Sequence, residues 1–145
     1  MMVERHIEIL LVEDNPGDAR LTLEAFKGSR VRNQLRHVSN GADALAYLRR
    51  EGAFARMPRP HLILLDLNLP GIDGRQVLAT IKADEQLRCI PVIVLTTSQA
   101  EEDIAKAYHL NANCYVAKPM HLDEFMRVIK LIEDFWLTVV KLPSE

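Results

Sequence analysis

Three short apolar runs constrain this chain more than any other feature. Ile7-Glu8-Ile9-Leu10-Leu11-Val12, His61-Leu62-Ile63-Leu64-Leu65 and Pro91-Val92-Ile93-Val94-Leu95 are rich in branched side chains. Each is of strand length, and near-continuous apolarity marks a strand buried on both faces. A sheet covered on both faces needs helices, and the intervening segments supply them. Asn15-Pro16, followed by Ala19, Thr22, Leu23 and Phe26, reads as a capped helix with Pro at its first position, stopped at Gly28. Helical spacing returns from Ala42 to Gly52, around Val77, Leu78 and Ile81 after the Pro70–Gly74 turn, from Ala100 to Leu110, and from near His121 to about Val140. Gln34–Ser39 is more polar, as expected of an edge strand, and Cys114–Ala117 is a short strand. Strand and helix alternate five times. Right-handed crossovers then give an α/β, doubly wound, parallel sheet. The connector Ala53–Pro60 is too short to divide domains.

Composition narrows the function classes. The 145 residues fit one domain. With 18 basic and 20 acidic residues the net charge is −2, which argues against a protein that holds nucleic acid by charge. Cys89 and Cys114 make no disulfide framework and are expected as buried free thiols. No run approaches the roughly 20 apolar residues of a membrane span. The start of the chain lacks a signal-type apolar region. A soluble cytoplasmic protein without membrane association is expected. The histidines His6, His37, His61, His109 and His121 are scattered and show no metal-ligand spacing.

In doubly wound sheets, ligands gather at the carboxyl ends of the strands. Those ends carry Glu13 and Asp14, then Asp66, Thr96 and Lys118. Each alone is an ordinary helix cap or loop residue; together they fit a single chemistry. Three carboxylates at one rim raise one another's pKa values unless a counter-charge is present. Mg²⁺ takes carboxylate, water and phosphate oxygens. A lysine adds a point charge suited to a phosphoryl group, and a threonine hydroxyl adds a donor. One carboxylate can then attack a phosphoryl donor and form an aspartyl-phosphate, with the cationic groups stabilising the transferring charge.

The set Glu13-Asp14, Asp66, Thr96 and Lys118-Pro119 resembles, in order and spacing along essentially the whole chain, the receiver domain of two-component response regulators. The resemblance implies a flavodoxin-like fold with strand order 2-1-3-4-5 and five helices. It implies that Asp66 accepts phosphate from the phosphohistidine of a sensor histidine kinase, and that the chain is a signalling protein rather than an enzyme. Asp14, Asp66 and the backbone carbonyl of Asn68 would ligate Mg²⁺, with Glu13 acting mainly through metal-bound water. Thr96, Lys118 and the amides of Asn68 and Thr97 would hold phosphoryl oxygens. The Lys118–Pro119 peptide would be cis. Thr96 and Tyr115 would form the conformational switch, the aromatic ring following the hydroxyl inward. Thr97 departs from the smaller residue common at its position.

The C-terminal segment is the second informative feature. Leu122, Phe125, Met126, Ile129, Ile132 and Trp136 form a stripe suited to packing on the sheet. Val128, Leu131, Phe135, Leu137, Val139, Val140 and Leu142 add apolar surface on other faces. A helix apolar nearly all round needs cover on more than one side, most simply from an isologous homodimer, with Phe135 and Trp136 as contact candidates. Glu133-Asp134-Phe135-Trp136-Leu137, the closing Leu142-Pro143-Ser144-Glu145 and the long connector resemble the phytochrome-associated branch of single-domain receivers, which implies a dimer and a light-sensing kinase. On this reading residues 1–145 are a single receiver domain without an output domain, its core about 5–132 and its extension about 133–145. Any downstream response then passes through a protein target.

Two other chemistries share the architecture. A flavodoxin-type electron carrier needs a Ser/Thr/Gly-rich phosphate loop after the first strand, and Glu13-Asp14-Asn15-Pro16 is acidic there. A haloacid-dehalogenase-type phosphatase needs a second Asp two residues after its nucleophile, and Asn68 holds that position. A purely structural interaction module would have no use for the full strand-end set.

Overall fold

The computed structural model describes residues 6–143. Its strands are β1 (His6–Val12), β2 (Arg32–Val38), β3 (Leu62–Leu65), β4 (Val92–Thr96) and β5 (Cys114–Ala117), all parallel, in the order β2-β1-β3-β4-β5. Its helices are α1 (Pro16–Lys27), α2 (Gly41–Leu48), α3 (Gly74–Ala83), α4 (Glu101–His109) and α5 (Leu122–Asp134). The helix bounds follow local chemistry. Asn15 and Asn40 accept the amides of Asp18 and Asp43, and Asp73 and Gln76 close a capping box at the start of α3.

The pleat explains why the three apolar runs need no polar alternation. Ile7, Ile9 and Leu11, Leu62 and Leu64, and Ile93 and Leu95 join one core with Phe26 of α1 and Phe125, Ile129 and Ile132 of α5. The intervening Leu10, Val12, Ile63, Leu65, Val92 and Val94 join a second core with Leu45 and Leu48 of α2, Val77, Leu78 and Ile81 of α3, and Ala107 of α4. Successive side chains thus serve opposite faces, and both faces are covered. The connector before β3 holds one 3₁₀ turn, Gly52–Phe54, whose Phe54 ring packs against Tyr47 at 5.5 Å between centroids. Among the described residues, no helix is long and apolar enough to cross a membrane.

Four expectations need correction. Cys89 is exposed and Cys114 only half-buried. Cys89 lies in the turn between α3 and β4, and Cys114 opens the edge strand β5, so neither position is enclosed. Leu122 is 63 % exposed, because it is the first residue of α5 and stands ahead of the stripe that reaches the sheet. The Lys118–Pro119 peptide is trans, the lower-energy isomer for an X-Pro bond, and the lysine reaches the strand-end carboxylates from it.

The fourth correction concerns the end of the last helix. The α-helical pattern stops at Asp134 and continues as a π-helical turn over Phe135–Val139, closed by the Val140 amide donating to the Phe135 carbonyl at 3.0 Å. Wider winding shifts the inward position from the expected Trp136 to Leu137, which is 4 % exposed. Trp136 is half-buried, its ring edge-on to Phe135 at 5.9 Å. Leu142 also returns to the core, so part of the apolar surplus is covered by the chain itself. Leu131, Phe135 and Val139 stay 63 %, 51 % and 62 % exposed.

Candidate functional site

The strand ends build one rim. β1 runs out at Val12 and delivers Glu13 and Asp14; β3 delivers Asp66; Thr96 closes β4; Lys118 follows β5. Backbone bonds lock these positions together. The Asp66 amide donates to the Val12 carbonyl at 3.0 Å, the Glu13 amide to the Val38 carbonyl at 3.1 Å, and the Lys118 amide to the Thr96 carbonyl at 2.7 Å. Gly74 makes the turn after Asp66 possible. A Cβ there would overlap the Asp66 carbonyl oxygen and the Leu67 backbone. Gly71, at φ 70°, takes the left-handed conformation that the same turn requires.

Lys118 is the centre of the site. Its ammonium donates to Glu13 Oε1 at 2.5 Å, to Asp66 Oδ2 at 3.1 Å and to Asp18 Oδ2 at 3.1 Å. Lys118, Glu13, Asp66 and Thr96 are all buried, while Asp14, Asn68 and Thr97 are exposed at the mouth. The Asn68 amide donates to Asp66 Oδ1 at 3.2 Å, and its side chain makes a long bond to the Thr96 hydroxyl at 3.4 Å. The Asn15 amide donates to Glu13 Oε2 at 3.2 Å. Nearly every buried oxygen of the site thus has a donor from the chain, as buried polar groups require.

Burial pushes the Glu13 carboxyl up to about 8, and the neighbouring Asp66 charge adds to this against the opposing pull of Lys118. Burial works against the charged form of Lys118 too. The hydrogen bond to Glu13 and the charges of Glu13 and Asp66 outweigh it, and the ammonium is held more firmly protonated than usual. One cation therefore faces three carboxylates, and the site remains short of positive charge.

Ligand atoms of Glu13, Asp14 and Asp66 lie within 4.8 Å of one another. Hard carboxylate oxygens at that spacing, with one group open to solvent, suit a divalent cation that keeps part of its water shell. The excess of carboxylate over ammonium gives the same answer by charge. The donor set fits.

All the strand-end residues expected from the sequence meet at this rim, while Tyr115 stands further off. Tyr115 is half-buried on β5, and its hydroxyl donates to the Ser98 carbonyl at 2.9 Å, in the loop that follows Thr96. Phe135 and Trp136 lie away from the rim in the π-helical turn. Asp18 is a residue that strand-end reasoning passes over. It occupies the first turn of α1, where an acidic residue is ordinarily explained by the helix dipole. A signal was present in its closeness to Glu13-Asp14. A second polar chain had no local signal. Arg75 bridges Asp73 at 3.1 Å and Asp103 at 2.7 Å, and the Ser98 hydroxyl donates to Asp103 at 2.6 Å. The hydrogen bonds from Ser98 and then Arg75 hold the Asp103 carboxyl below its usual range. This chain ties the start of α3 to α4 and to the loop after Thr96.

Comparison with known proteins is consistent with this geometry. The response regulator receiver domain family matches residues 9–130. Response regulator Rcp1 of Synechocystis is 47 % identical over 136 residues, 94 % of this chain and 92 % of the relative. The crystal structure of the Mn²⁺-bound form of Rcp1 superposes with a TM-score of 0.93 at 46 % identity, covering 95 % of this chain and 99 % of that one. The phosphorylated cyanobacterial phytochrome response regulator RcpA superposes at 0.94 with 51 % identity, covering 97 % and 100 %.

Proposed function

The chain belongs to the response regulator receiver family, and from that premise we propose that Asp66 accepts a phosphoryl group from the phosphohistidine of a sensor histidine kinase of phytochrome type. As a receiver it is a phosphoacceptor signalling module rather than a classical enzyme, and its acidic rim is a divalent-metal site. The observation that carries the finer reading is Lys118, whose ammonium spans Asp66 and Glu13 inside a carboxylate cluster short of positive charge.

In this reading Asp14 and Asp66, with the carbonyl of Asn68, would hold Mg²⁺, and Glu13 would act mainly through water at that site. The cation supplies charge neutralisation for the incoming phosphoryl oxygens. Every other step belongs to the chain. An Asp66 carboxylate oxygen forms the new O–P bond as the N–P bond of the donor breaks, and the electron pair leaves on the imidazole nitrogen, which takes a proton from solvent. Lys118 turns from the carboxylates to a phosphoryl oxygen. The Thr96 hydroxyl and the amides of Asn68 and Thr97 donate to the others. Movement of Thr96 toward the phosphoryl group breaks its long contact with Asn68 and pulls on the loop whose Ser98 carbonyl holds Tyr115. Thr96 and Tyr115 are thereby the switch pair.

The division of the chain follows. Residues of about 5–132 form the receiver and about 133–145 the extension; Arg5 and Ser144-Glu145 lie outside the described residues. The exposed Leu131, Phe135 and Val139 form the face on which a second copy docks, and signalling passes to a protein target through that assembly. The likeness to RcpA, a cyanobacterial phytochrome response regulator, supports the light-sensing partner.

The test is incubation with Mg²⁺ and a small acyl phosphate, followed by intact mass. One labile phosphoryl adduct is expected, absent from Asp66→Asn. No adduct on the native chain, or an undiminished adduct on the variant, refutes the assignment.

A further inference from the structure

A cavity of about 440 Å³ opens at the other end of the sheet, where β3 and β4 begin. Its volume lies in the ordinary range for a small-molecule pocket. Pro60, Ile90 and Pro91 give it apolar walls, and Arg50, Arg59 and His61 bring cationic and donor groups. No carboxylate lines it among the described residues.

Two of these groups are set up as donors. The Arg59 guanidinium donates through Nη2 to the Gln86 side chain at 3.3 Å, while its Nε is buried and finds no hydrogen-bond partner among the described residues. The Nε is closed to solvent, so an incoming acceptor meets the terminal N–H groups of the guanidinium, which lines the cavity. The Glu8 amide donates to His61 Nδ1 at 3.0 Å. That bond assigns the neutral ring proton to Nε2, leaving the second nitrogen as a donor.

We propose that this cavity binds a small organic anion, its phosphate or carboxylate group held by Arg59 and His61 and its apolar body against Pro60, Ile90 and Pro91. Arginine suits such a group because its planar fork offers paired donors. The pocket is separate from Asp66, at the amino ends of the strands rather than the carboxyl ends. It therefore does not depend on the phosphoacceptor reading. Pro143 also lines it, so a bound anion sits against the chain that leaves the π-helical turn.

The test uses the full chain, labelled with ¹⁵N, in buffer free of divalent metal. Phenylphosphate, benzoate and inorganic phosphate are titrated separately, and the amides of Arg59, His61 and Ile90 report the cavity. Those of Asn68 and Thr97 report the other rim. Saturable shifts at the first set are expected from phenylphosphate, which should bind roughly tenfold tighter than inorganic phosphate because only it covers the apolar wall. Benzoate tells carboxylate from phosphate recognition, and either binder fits the proposal. Arg59→Gln should weaken binding by about tenfold or more, with the rest of the amide spectrum unchanged, and Arg59→Lys should fall between. Shifts confined to Asn68 and Thr97, equal affinity for inorganic phosphate, or native affinity in Arg59→Gln would each overturn it.

Discussion

At the strand ends, Lys118 is almost cut off from water and holds the buried carboxylates of Glu13 and Asp66 and the partly exposed one of Asp18, whereas in the π-helical turn Phe135 and Val139 turn apolar side chains outward. The first region buries what normally stays wet. The second exposes what normally stays dry. Each is a departure from ordinary residue placement, and each is sustained differently. The rim is held by backbone bonds between neighbouring strand ends, so its charged groups cannot spread apart to relieve their repulsion. The C-terminal turn is held by Leu137 and Leu142 on its inner side, and none of the described residues covers its outer side. A region with a charge deficit and a region with an apolar surplus call for different partners, a cation with phosphate in one case and a protein surface in the other.

The comparison breaks most sharply at Gly74. Replacing it with Ala drives a methyl group into the Asp66 carbonyl and the Leu67 backbone, neither of which can rotate away. Destabilisation of about 3 kcal/mol or more is expected, together with loss of the phosphoryl adduct because Asp66 is displaced. Urea unfolding and intact mass read the two effects, and a variant of native stability would show that the turn is looser than its contacts imply. On the other side, Leu137→Ala removes a core side chain from the turn and should cost about 2–3 kcal/mol. Its phosphoryl adduct should persist, since Leu137 belongs to the core under α1 and α5 and not to the rim.

The same contrast governs what could be read in advance. Rim residues are rare types at defined places. An acidic pair after β1, an Asp after β3, a Thr at the end of β4 and a Lys after β5 stand out against apolar runs, and the parallel sheet brings them together automatically. Asp18 escaped because its position has an ordinary helical explanation. Arg75 and Asp103 escaped because helices α3 and α4 meet only in three dimensions. In the C-terminal segment, an apolar residue at nearly every turn position fits both α and π winding. The sequence therefore indicated that some surface would be left over and offered Phe135 and Trp136 for it, of which Phe135 is exposed and Trp136 half-buried. The inward place of Leu137 and outward place of Phe135 follow from one wider turn, decided by core packing rather than local preference.

A pH titration of metal-free protein sharpens the rim side. Unfolded Glu13 loses its proton near its ordinary value of 4.5, while the folded carboxyl keeps it up to about 8, chiefly through burial. Between those values the folded state binds the extra proton, so stability falls as pH rises. The ammonium of Lys118 is raised in the folded state, and its contribution stays fully present below its ordinary 10.5. From pH 6 to 8 a loss of about 2 kcal/mol is expected from Glu13 alone. Saturating Mg²⁺ should flatten the slope, because a cation among these carboxylates favours the ionised form. A flat profile without metal would mean that Lys118 keeps Glu13 ionised in the fold.

The smallest effect on the fold is expected from Phe135→Ala, and it is the most telling for the C-terminal side. Phe135 is 51 % exposed and its ring touches Trp136 edge-on, so truncation should change unfolding stability by no more than about 0.5 kcal/mol. If the outer side of the turn is covered by a second copy, the same substitution removes an aromatic anchor and should weaken association by roughly tenfold. Trp136→Ala is the less selective probe, since Trp136 is half-buried against the chain's own core and its loss mixes folding with assembly. Sedimentation of the native chain, Phe135→Ala and Val139→Ala, each with and without the phosphodonor, separates the two. A native monomer in both states would remove the second copy as the partner of this face. A dimer unaffected by either substitution would move the contact to another surface and leave Phe135 and Val139 for the downstream target.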